Sequence, residues 1–432
     1  MSIEVFKMFV IDNSCMLGII LFFLWLEYIW ELYLSIRQFL LANRTENVPD
    51  DLKEVMSQET FEKAKLYHLD KTKFGFVKDT FSIILSSIVL YTGILAIFWD
   101  YSTKISPADN EVAVSCIWIF LLTSMSTVLD LPFSIYFTFV LEEKYGFNKQ
   151  TARFFVIDRI KVFALSQFLS LPISSLAILI VKYGGDWFFM WLWAFVGLVM
   201  LILLTVYPTY IAPLFDKFTP LPEGELRSEI EMLATKLNFP LGQLYVVEGS
   251  KRSAHSNAYF SGLFGVKRIV LFDTLIDNYE NNEVLAVLAH EIGHWKYGHI
   301  IKNIVIMETS LFLLFMVFAY TFKIPLLYEA VGFPSGVEPV LVGLLVVLQY
   351  IMVPYNAFLS FLLACLSRKF EFQADQFALR LNKSESLRLA LIKLNKDNLG
   401  FPIYDELYSA WHHSHPSLLE RLRALKDEKK RE

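Results

Sequence analysis

Residues 288–299 read LAHEIGHWKYGH, and this stretch decides what kind of domain the chain must build around it. Positions four apart share one face of an α-helix, so His290 and His294 can direct imidazole nitrogens at a single ion. Glu291 follows the first histidine, where its carboxylate can reach a water beside the ion without ligating the ion. This is the H-E-x-x-H pattern of zinc-dependent hydrolases. Such a short pattern also arises by chance, so a polar patch on an ordinary helix stays open at this point.

The residues around the motif predict a helix. Apolar side chains recur at helical spacing from Val284 to Ile292, and no proline interrupts the stretch 282–299. On a continuous helix, His299 lies about 140° further round than His294. That angle favours a surface or interfacial histidine over a metal ligand.

A catalytic zinc needs a third protein ligand, and RKFEFQADQFALRL (368–381) supplies one. Glu371 and Asp375 lie one turn apart on an otherwise apolar, amphipathic helix. Carboxylates in such a position require a salt bridge or a metal. With Glu371 as the ligand and Asp375 as the acceptor for an imidazole N–H, both groups are satisfied.

The chain is too apolar for an ordinary soluble protein. Hydrophobic residues make up 55% of its 432 residues and charged residues only 19%, against about 25% charged residues in soluble domains. A span needs about 20 apolar residues, and seven stretches approach that length. They run approximately over 15–34, 81–99, 113–140, 162–181, 187–206, 303–322 and 337–366. The sequence predicts a mainly α-helical membrane protein with seven transmembrane helices.

Basic residues alternate between consecutive loops. Eight Lys and Arg residues lie after the first span and five after the third, whereas the loops after the second and fourth hold one each. Cytosolic loops carry the excess of Lys and Arg. This bias places the N-terminus in the lumen and both long polar segments, 207–302 and 367–432, in the cytosol. The HEIGH motif and Glu371 then lie on one side of the membrane, next to spans six and seven.

Composition disfavours two other kinds of site. The net charge of −5 and the lack of a long basic block speak against nucleic-acid binding. The cysteines, Cys15, Cys116 and Cys365, are far apart in apolar surroundings and form no C-x-x-C pair. A disulfide framework and a cysteine zinc site are therefore both disfavoured.

Two stretches before the motif predict a small β-sheet. LYVVEG (244–249) and RIVLFDTL (268–275) have the pattern of strands. If the segment around Asn257 forms an exposed edge of this sheet, an extended peptide can pair with that edge.

Three longer motifs accompany HEIGH and FEFQAD, namely LEEKYGFNKQT (141–151), VVEGSKRSAHSNAYFSGLFGVKRIVLFDTL (246–275) and HHSHPSLLERL (412–422). With seven spans, they resemble the type I CAAX prenyl proteases, the Ste24-type integral-membrane zinc metalloproteases. The resemblance implies removal of the last three residues of a Cys-a-a-X C-terminus after its cysteine is prenylated, with a second upstream cleavage in some members. It further implies a barrel of seven helices around a large chamber and a cytosolic HExxH gluzincin domain.

The same resemblance implies residue roles. His290, His294 and Glu371 match the ligands of one Zn²⁺ per chain, and Glu291 matches the catalytic glutamate. Zn²⁺ lowers the pKa of the water bound to it, and Glu291 accepts the proton of that water.

Two further motifs supply the remaining matches. His415, in S-H-P, matches a residue that steadies the developing oxyanion, although His412 and His413 lie close by. Asn257 matches a residue that holds the substrate backbone. Arg421 belongs to the family motif, and we assign it to substrate binding.

We expect four consecutive segments. They are 1–206 with spans one to five and cytosolic loops, 207–302 with the first part of the metalloprotease domain, 303–366 with spans six and seven, and 367–432 with the rest of that domain and the tail. Expected partners are prenylated CAAX peptides and the lipid bilayer, and a monomer satisfies these expectations. The tail ends Lys429-Lys430-Arg431-Glu432, which resembles a dilysine signal for the endoplasmic reticulum. A solvated run of charges without a targeting role is the alternative.

Two rival functions stay open from the sequence. One is an HtpX-like quality-control protease of the membrane, which shares HExxH and the downstream glutamate but has fewer spans. The other is a non-enzymatic scaffold or transporter stabilised by zinc. Glu291 argues against the second, because a structural site has no use for a general base.

Overall fold

The computed structural model describes residues 12–106, 110–262 and 265–429. The end of the expected dilysine signal, from position 430 on, lies outside these residues. The first helices are α1 (Asn13–Arg44), α2 (Gln58–Tyr91), α3 (Ile94–Ile105), α4 (Glu111–Tyr136), α5 (Ala152–Tyr183) and α6 (Phe188–Val206). Strand β1 (Phe218–Pro220), helix α7 (Glu225–Leu237) and strands β2 (Leu241–Val247), β3 (Ala258–Ser261) and β4 (Lys267–Phe272) follow. The remaining helices are α8 (Asp273–Asn278), α9 (Asn281–Lys296), α10 (His299–Thr321), α11 (Pro325–Glu329), α12 (Val340–Val346), α13 (Val353–Arg380), α14 (Ser384–Asp397), α15 (Glu406–His412) and α16 (Leu418–Lys429).

Side-chain caps fix where several long helices begin. Asp12 accepts a hydrogen bond from the backbone N–H of Cys15 at the start of α1. Ser57 does the same for α2 and Thr151 for α5. Each cap satisfies a backbone donor that has no partner within the helix.

The predicted membrane protein is confirmed as mainly α-helical with a small sheet. Within the described ranges, six helical segments are long and apolar enough to span a bilayer, and a seventh span forms if one bent pair is counted together. The six are Asn13–Arg44, Gln58–Tyr91, Glu111–Glu142, Ala152–Tyr183, Gly185–Leu214 and His299–Thr321. The bent pair, Val340–Ile351 and Val353–Arg380, turns by 60° at Met352. The enclosed chamber implied by the resemblance stays a prediction.

The second span differs from the predicted range 81–99. Its helix begins at Gln58 and ends at Tyr91, and α3 starts afresh after Gly93, which has a left-handed φ of 66°. Gly93 also lies against Gly332, where an added Cβ would come within 2.8 Å of the Gly93 Cα. The positive φ and this close approach both require glycine. The apolar pattern continues past the break, so hydropathy alone could not locate it.

The predicted sheet is present and has four strands in the order β1-β2-β4-β3. Strands β2 and β4 are parallel, whereas β1 and β3 pair antiparallel with them. The predicted strand 268–275 ends at Phe272, and its last three residues begin α8. Strand β3 is at one edge, so its outer side is open to pairing with another extended chain.

One hydrophobic core joins segments from both sides of spans six and seven. It contains Ile269 and Leu288 from the first polar segment, and Leu391 and Leu422 from the second. Phe61, at the start of α2, belongs to the same core. The two polar segments therefore form one folded unit, which the start of α2 helps to complete.

Candidate metal centre

Helix α9 carries the HEIGH motif, and local sequence fixes both of its ends. At its start, Glu280 and Glu283 form a reciprocal capping box, in which the Glu283 carboxylate accepts from the Glu280 N–H at 3.0 Å. At the other end, Gly298 adopts a left-handed φ of 66° and starts α10. Leu288 and Ile292 pack into the domain core. The opposite face of α9 therefore holds the polar residues of the motif.

A glycine lets α9 approach α13 closely. A Cβ on Gly293 would lie 3.1 Å from the Cα of Ala374 and 3.1 Å from the Cβ of Phe377, whereas carbon atoms in contact are about 3.5–4.0 Å apart. Only a residue without a side chain fits between the helices at this point. The approach brings Glu371 and Asp375, one turn apart on α13, opposite the two histidines of HEIGH.

Three side-chain donors converge between α9 and α13. The Nε2 atoms of His290 and His294 are 3.2 Å apart. Glu371 Oε1 lies 3.3 Å from His294 Nε2, and Glu371 Oε2 lies 3.5 Å from His290 Nε2. Among the described residues, these three form the one group of histidine, cysteine and acidic side chains close enough to share a metal ion.

A buried ion pair orients the first histidine. Asp375 Oδ1 lies 2.8 Å from His290 Nδ1, and because a carboxylate only accepts, Nδ1 carries the proton. Arg421 donates to the same carboxylate from Nη2 at 2.6 Å and from Nε at 2.8 Å. The lone pair of His290 Nε2 is thereby turned toward Glu371. All three side chains of this set are buried.

The prediction that His299 is a surface or interfacial histidine is wrong. Its side chain is buried, and its Nδ1 lies 3.0 Å from His294 Nδ1. Its Nε2 lies 3.0 Å from Gln373 Oε1, which accepts the Nε2 proton and leaves Nδ1 to accept from His294. The break at Gly298 redirects the chain, so an angle taken from a continuous helix did not apply. A glycine directly before a histidine was the one local signal for this arrangement.

The three donors lie at a cavity of about 390 Å³. Glu291, Asn257 and His415 also line this cavity, as does Arg421. Burial raises the pKa of the Glu291 carboxyl above its usual range. A carboxylate adjusted in this way suits a general base near neutral pH.

Of the three clustered histidines near the C-terminus, only His415 lines this cavity. Its Nε2 lies 3.3 Å from Glu371 Oε1. His412 instead pairs with Glu31 at 3.1 Å, and His413 contacts Ser409. His412 and His413 are therefore close to His415 in sequence but do not line the cavity.

Asn257 directly precedes the edge strand β3. Its backbone carbonyl accepts from the Phe272 N–H at 3.1 Å, which fixes it at the end of the sheet. Its Oδ1 accepts from the Ala258 N–H at 2.8 Å, so its amide Nδ2 is the group that can donate to a ligand.

Comparison with known proteins covers nearly the whole chain. Residues 38–217 match the model of the CAAX prenyl protease N-terminal region with five membrane helices, and residues 220–429 match peptidase family M48. The chain is 47% identical to the CAAX prenyl protease 1 homolog of Homo sapiens over 451 residues, which is 95% of each protein. The chain belongs to the CAAX prenyl protease family. The homolog from Arabidopsis thaliana is 45% identical over 95% of this chain and 97% of that protein.

A solved structure extends the likeness of this CAAX prenyl protease family member to three dimensions. The crystal structure of S. mikatae Ste24p superposes on this chain with a TM-score of 0.89 and 37% sequence identity. The superposition includes 95% of this chain and 98% of the Ste24p chain. The match to family M48 shows that the chain is a metallopeptidase, a hydrolase that uses a metal cofactor.

Proposed function

We propose that this chain is a zinc-dependent endopeptidase that removes the C-terminal tripeptide from prenylated CAAX proteins. The observation that carries the proposal is a single cavity lined by the three donors, by Glu291 and by Asn257, the residue that precedes the edge strand. The full-length similarity to CAAX prenyl proteases directs the choice of substrate. The match to a family-specific domain of five membrane helices favours this reading over an HtpX-like protease.

The donor set fits zinc. A tetrahedral site with metal–ligand distances of about 2.0–2.2 Å places its ligand atoms about 3.3–3.6 Å apart. The two imidazole Nε2 atoms are 3.2 Å apart, and Glu371 Oε1 lies 3.3 Å from that of His294. The other oxygen of Glu371, Oε2, lies 3.5 Å from His290 Nε2. Glu371 Oε2 is also a buried oxygen without a hydrogen-bond partner, which a cation would satisfy. When bound, zinc supplies a Lewis acid that polarises the scissile carbonyl and acidifies water.

Glu291 moves the proton in this proposal. Its carboxylate accepts a proton from the attacking water and returns that proton to the departing amine. General base catalysis of this kind contributes about 10²–10⁴-fold to the rate. A structural zinc site would not place such a carboxylate in the same cavity, which disfavours the scaffold or transporter alternative.

Two side chains would bind the substrate around the scissile bond. His415, at the rim of the cavity, stabilises the developing oxyanion by donating a hydrogen bond from its ring. Removing one such donor typically lowers kcat by about 10²–10³-fold. Asn257 holds the peptide backbone, while the open side of β3 pairs with the extended peptide. The peptide then crosses the cavity with its scissile carbonyl between Glu291 and His415.

Arg421 has a positioning role in this account and not the substrate-binding one first assigned. Its guanidinium is buried, and two of its N–H groups donate hydrogen bonds to the Asp375 carboxylate. Arg421 Nη1 also lies 3.6 Å from Glu371 Oε2. These contacts neutralise two buried carboxylates of α13. One of them, Asp375, also holds His290 of α9.

The cellular setting of the proposal rests on the loop charges. We place the N-terminus in the lumen of the endoplasmic reticulum or the inner nuclear membrane, and the metalloprotease domain in the cytosol. A CAAX C-terminus prenylated in the cytosol would reach the site from that side, with its lipid in or near the bilayer. One chain holds all donors of the site, so a monomer suffices.

A matched pair of peptides tests the proposal. Purified zinc-loaded protein is incubated with a farnesylated Cys-a-a-X peptide and its unmodified twin, and mass spectrometry identifies the bond that is cut. We expect release of the intact tripeptide from the farnesylated peptide. Glu291→Gln should abolish release, whereas Glu231→Gln, on the exposed face of α7, should not.

Two results would reject the proposal. Degradation of unfolded membrane proteins without tripeptide release would favour the quality-control protease. Unchanged activity in Glu291→Gln would show that Glu291 is not the general base. A farnesylated peptide that extends upstream of its cysteine tests the second cleavage in the same digestion.

A further inference from the structure

The loop LEEKYGFNKQT, between α4 and α5, contacts the segment that leads to Asn257. Asn148 and Ser253 form an isolated antiparallel bridge. Beside it, the Ala254 N–H donates to the Phe147 carbonyl at 3.3 Å, and the Lys149 N–H donates to the Arg252 carbonyl at 3.4 Å. A loop of the membrane domain thus pairs, through one backbone bridge, with the chain that leads into the metalloprotease sheet.

His255 lies at the centre of this contact and has little freedom to move. Its ring stacks on Phe147 with centroids 4.1 Å apart and planes inclined by 20°. Its Nδ1 lies 2.9 Å from Asn398 Oδ1, and its Nε2 lies 3.5 Å from Glu142 Oε2. Both ring nitrogens therefore face oxygen acceptors on two different parts of the chain.

The two acceptors are themselves fixed. Tyr67, on α2, donates its hydroxyl proton to Glu142 Oε1 at 2.5 Å. Asn398 follows the end of α14 and also accepts from the Ser256 N–H at 3.3 Å. Because that oxygen accepts a backbone N–H, it must be the carbonyl end of the amide, and His255 Nδ1 must donate to it. We call Tyr67, Glu142, His255 and Asn398 the His255 junction.

His255 of the junction is two residues before Asn257, the position assigned to substrate binding. The Ser256 N–H donates to Asn398, and Asn257 follows Ser256 directly before β3. Helix α14, which leads to Asn398, lines the active-site cavity through Leu391 and Leu394. The junction therefore ties α2, the loop after α4 and α14 to the start of the open sheet edge.

We propose that the His255 junction positions Asn257 and the edge of β3 for the peptide substrate, and that His255 is its central positioning residue. This inference rests on the proposed function, because it assigns the β3 edge to the substrate backbone. Without the ring of His255, residues 252–256 lose the stacking contact with Phe147 and the contacts of both ring nitrogens. They keep the bridge to the loop, the Ser256–Asn398 hydrogen bond and the ion pairs of Arg252. The peptide-binding edge would then sample orientations in which Asn257 misses the substrate, and productive binding requires positioning within about 0.5 Å.

Kinetics of a double-mutant cycle distinguish positioning from a general structural role. We expect His255→Ala to raise KM for a farnesylated peptide about tenfold and to leave kcat within about twofold, since uniform binding is lost. In an Asn257→Ala background, the same change should add less than about twofold, because the residue that it positions is gone. Zinc content should not change. Lys251 is exposed and lies four residues before His255. Lys251→Ala should have the kcat and KM of the wild type.

Hydrogen exchange tests the inference without relying on activity. His255→Ala should speed amide exchange in 253–257 while leaving β4 and α9 at wild-type rates. If His255→Ala does not fold, Glu142→Gln keeps an acceptor for Tyr67 and should show the same pattern, with KM about threefold higher.

The outcomes separate the two proposals. A wild-type enzyme that cleaves the peptide, with additive effects of the His255 and Asn257 variants, overturns the junction's role and leaves the proposed function standing. A wild-type protein that fails to cleave rejects the proposed function. In that case unchanged exchange in 253–257 still overturns the positioning role, and faster local exchange supports it.

Discussion

Gly293→Ala should weaken metal binding while leaving the protein folded. The added methyl would meet Ala374 and Phe377 at 3.1 Å, so α9 and α13 must separate by about 0.5 Å to restore an ordinary contact. Alanine gains about 1 kcal/mol of helix propensity over glycine, whereas overpacking costs about 1–3 kcal/mol. The net loss in the free energy of unfolding is therefore about 0–2 kcal/mol. The separation, in contrast, moves Glu371 and Asp375 away from the two histidines, and disturbing such partners costs about 10–100-fold in metal affinity or activity.

Chelator competition measures the zinc affinity of this variant, and thermal unfolding in detergent measures its stability. We expect a loss of at least about tenfold in affinity and in kcat/KM, with a small shift in Tm. Gly75→Ala is the matched control, because its added Cβ lies 3.8 Å from the nearest atom, in ordinary contact. Wild-type zinc affinity and kcat/KM in Gly293→Ala would refute the claim that this contact sets the distance between the donors.

Three further variants test separate parts of the site and the domain. Glu291→Gln should lower kcat/KM by about 10³-fold or more while zinc content stays at the wild-type level; loss of zinc in this variant would instead make Glu291 a structural residue. His299→Ala removes the acceptor for the His294 Nδ1 proton and should weaken zinc binding about 10–100-fold in a chelator titration, with partial recovery in His299→Gln; an unchanged affinity would contradict the tautomer assigned to His294. Burial lowers the pKa of His413 to about 4, against about 6.5 for a free imidazole. As pH falls from 6.5 towards 4, the unfolded chain takes up a proton that the folded chain does not, so Tm should fall across that window and fall less in His413→Gln. Equal pH dependence in both proteins would refute this assignment.

Local sequence predicted the parts of the site that lie within one helix. The spacing of His290 and His294 fixes their common face in any α-helix, whatever the surroundings. Glu371 followed from a different local conflict, a carboxylate on an apolar helix that requires a partner. The distance between these residues depends on Gly293 and on the folded helix bundle, which no short stretch encodes.

The breaks between helices and the pairing of distant segments were harder to predict. His299 was misplaced because Gly298 ends α9, and a single glycine can be tolerated within a helix or end it. The second span was misplaced for the same reason at Gly93. The bridge between Asn148 and Ser253 joins residues that are about a hundred positions apart, and neither residue's own neighbours indicate its partner. Pairing of this kind is set by tertiary structure.

In the proposed centre, two histidines and a glutamate on the far side of two membrane spans in sequence hold one zinc ion. Zinc X-ray absorption with metal quantification on the purified full-length protein tests it most directly. We predict one zinc per chain, ligated by nitrogen at about 2.0–2.1 Å and by oxygen, with no sulfur neighbour. Glu371→Ala should lose most of that zinc, while Glu231→Gln keeps it. Sulfur in the ligand shell, or full zinc content in Glu371→Ala, would contradict the account.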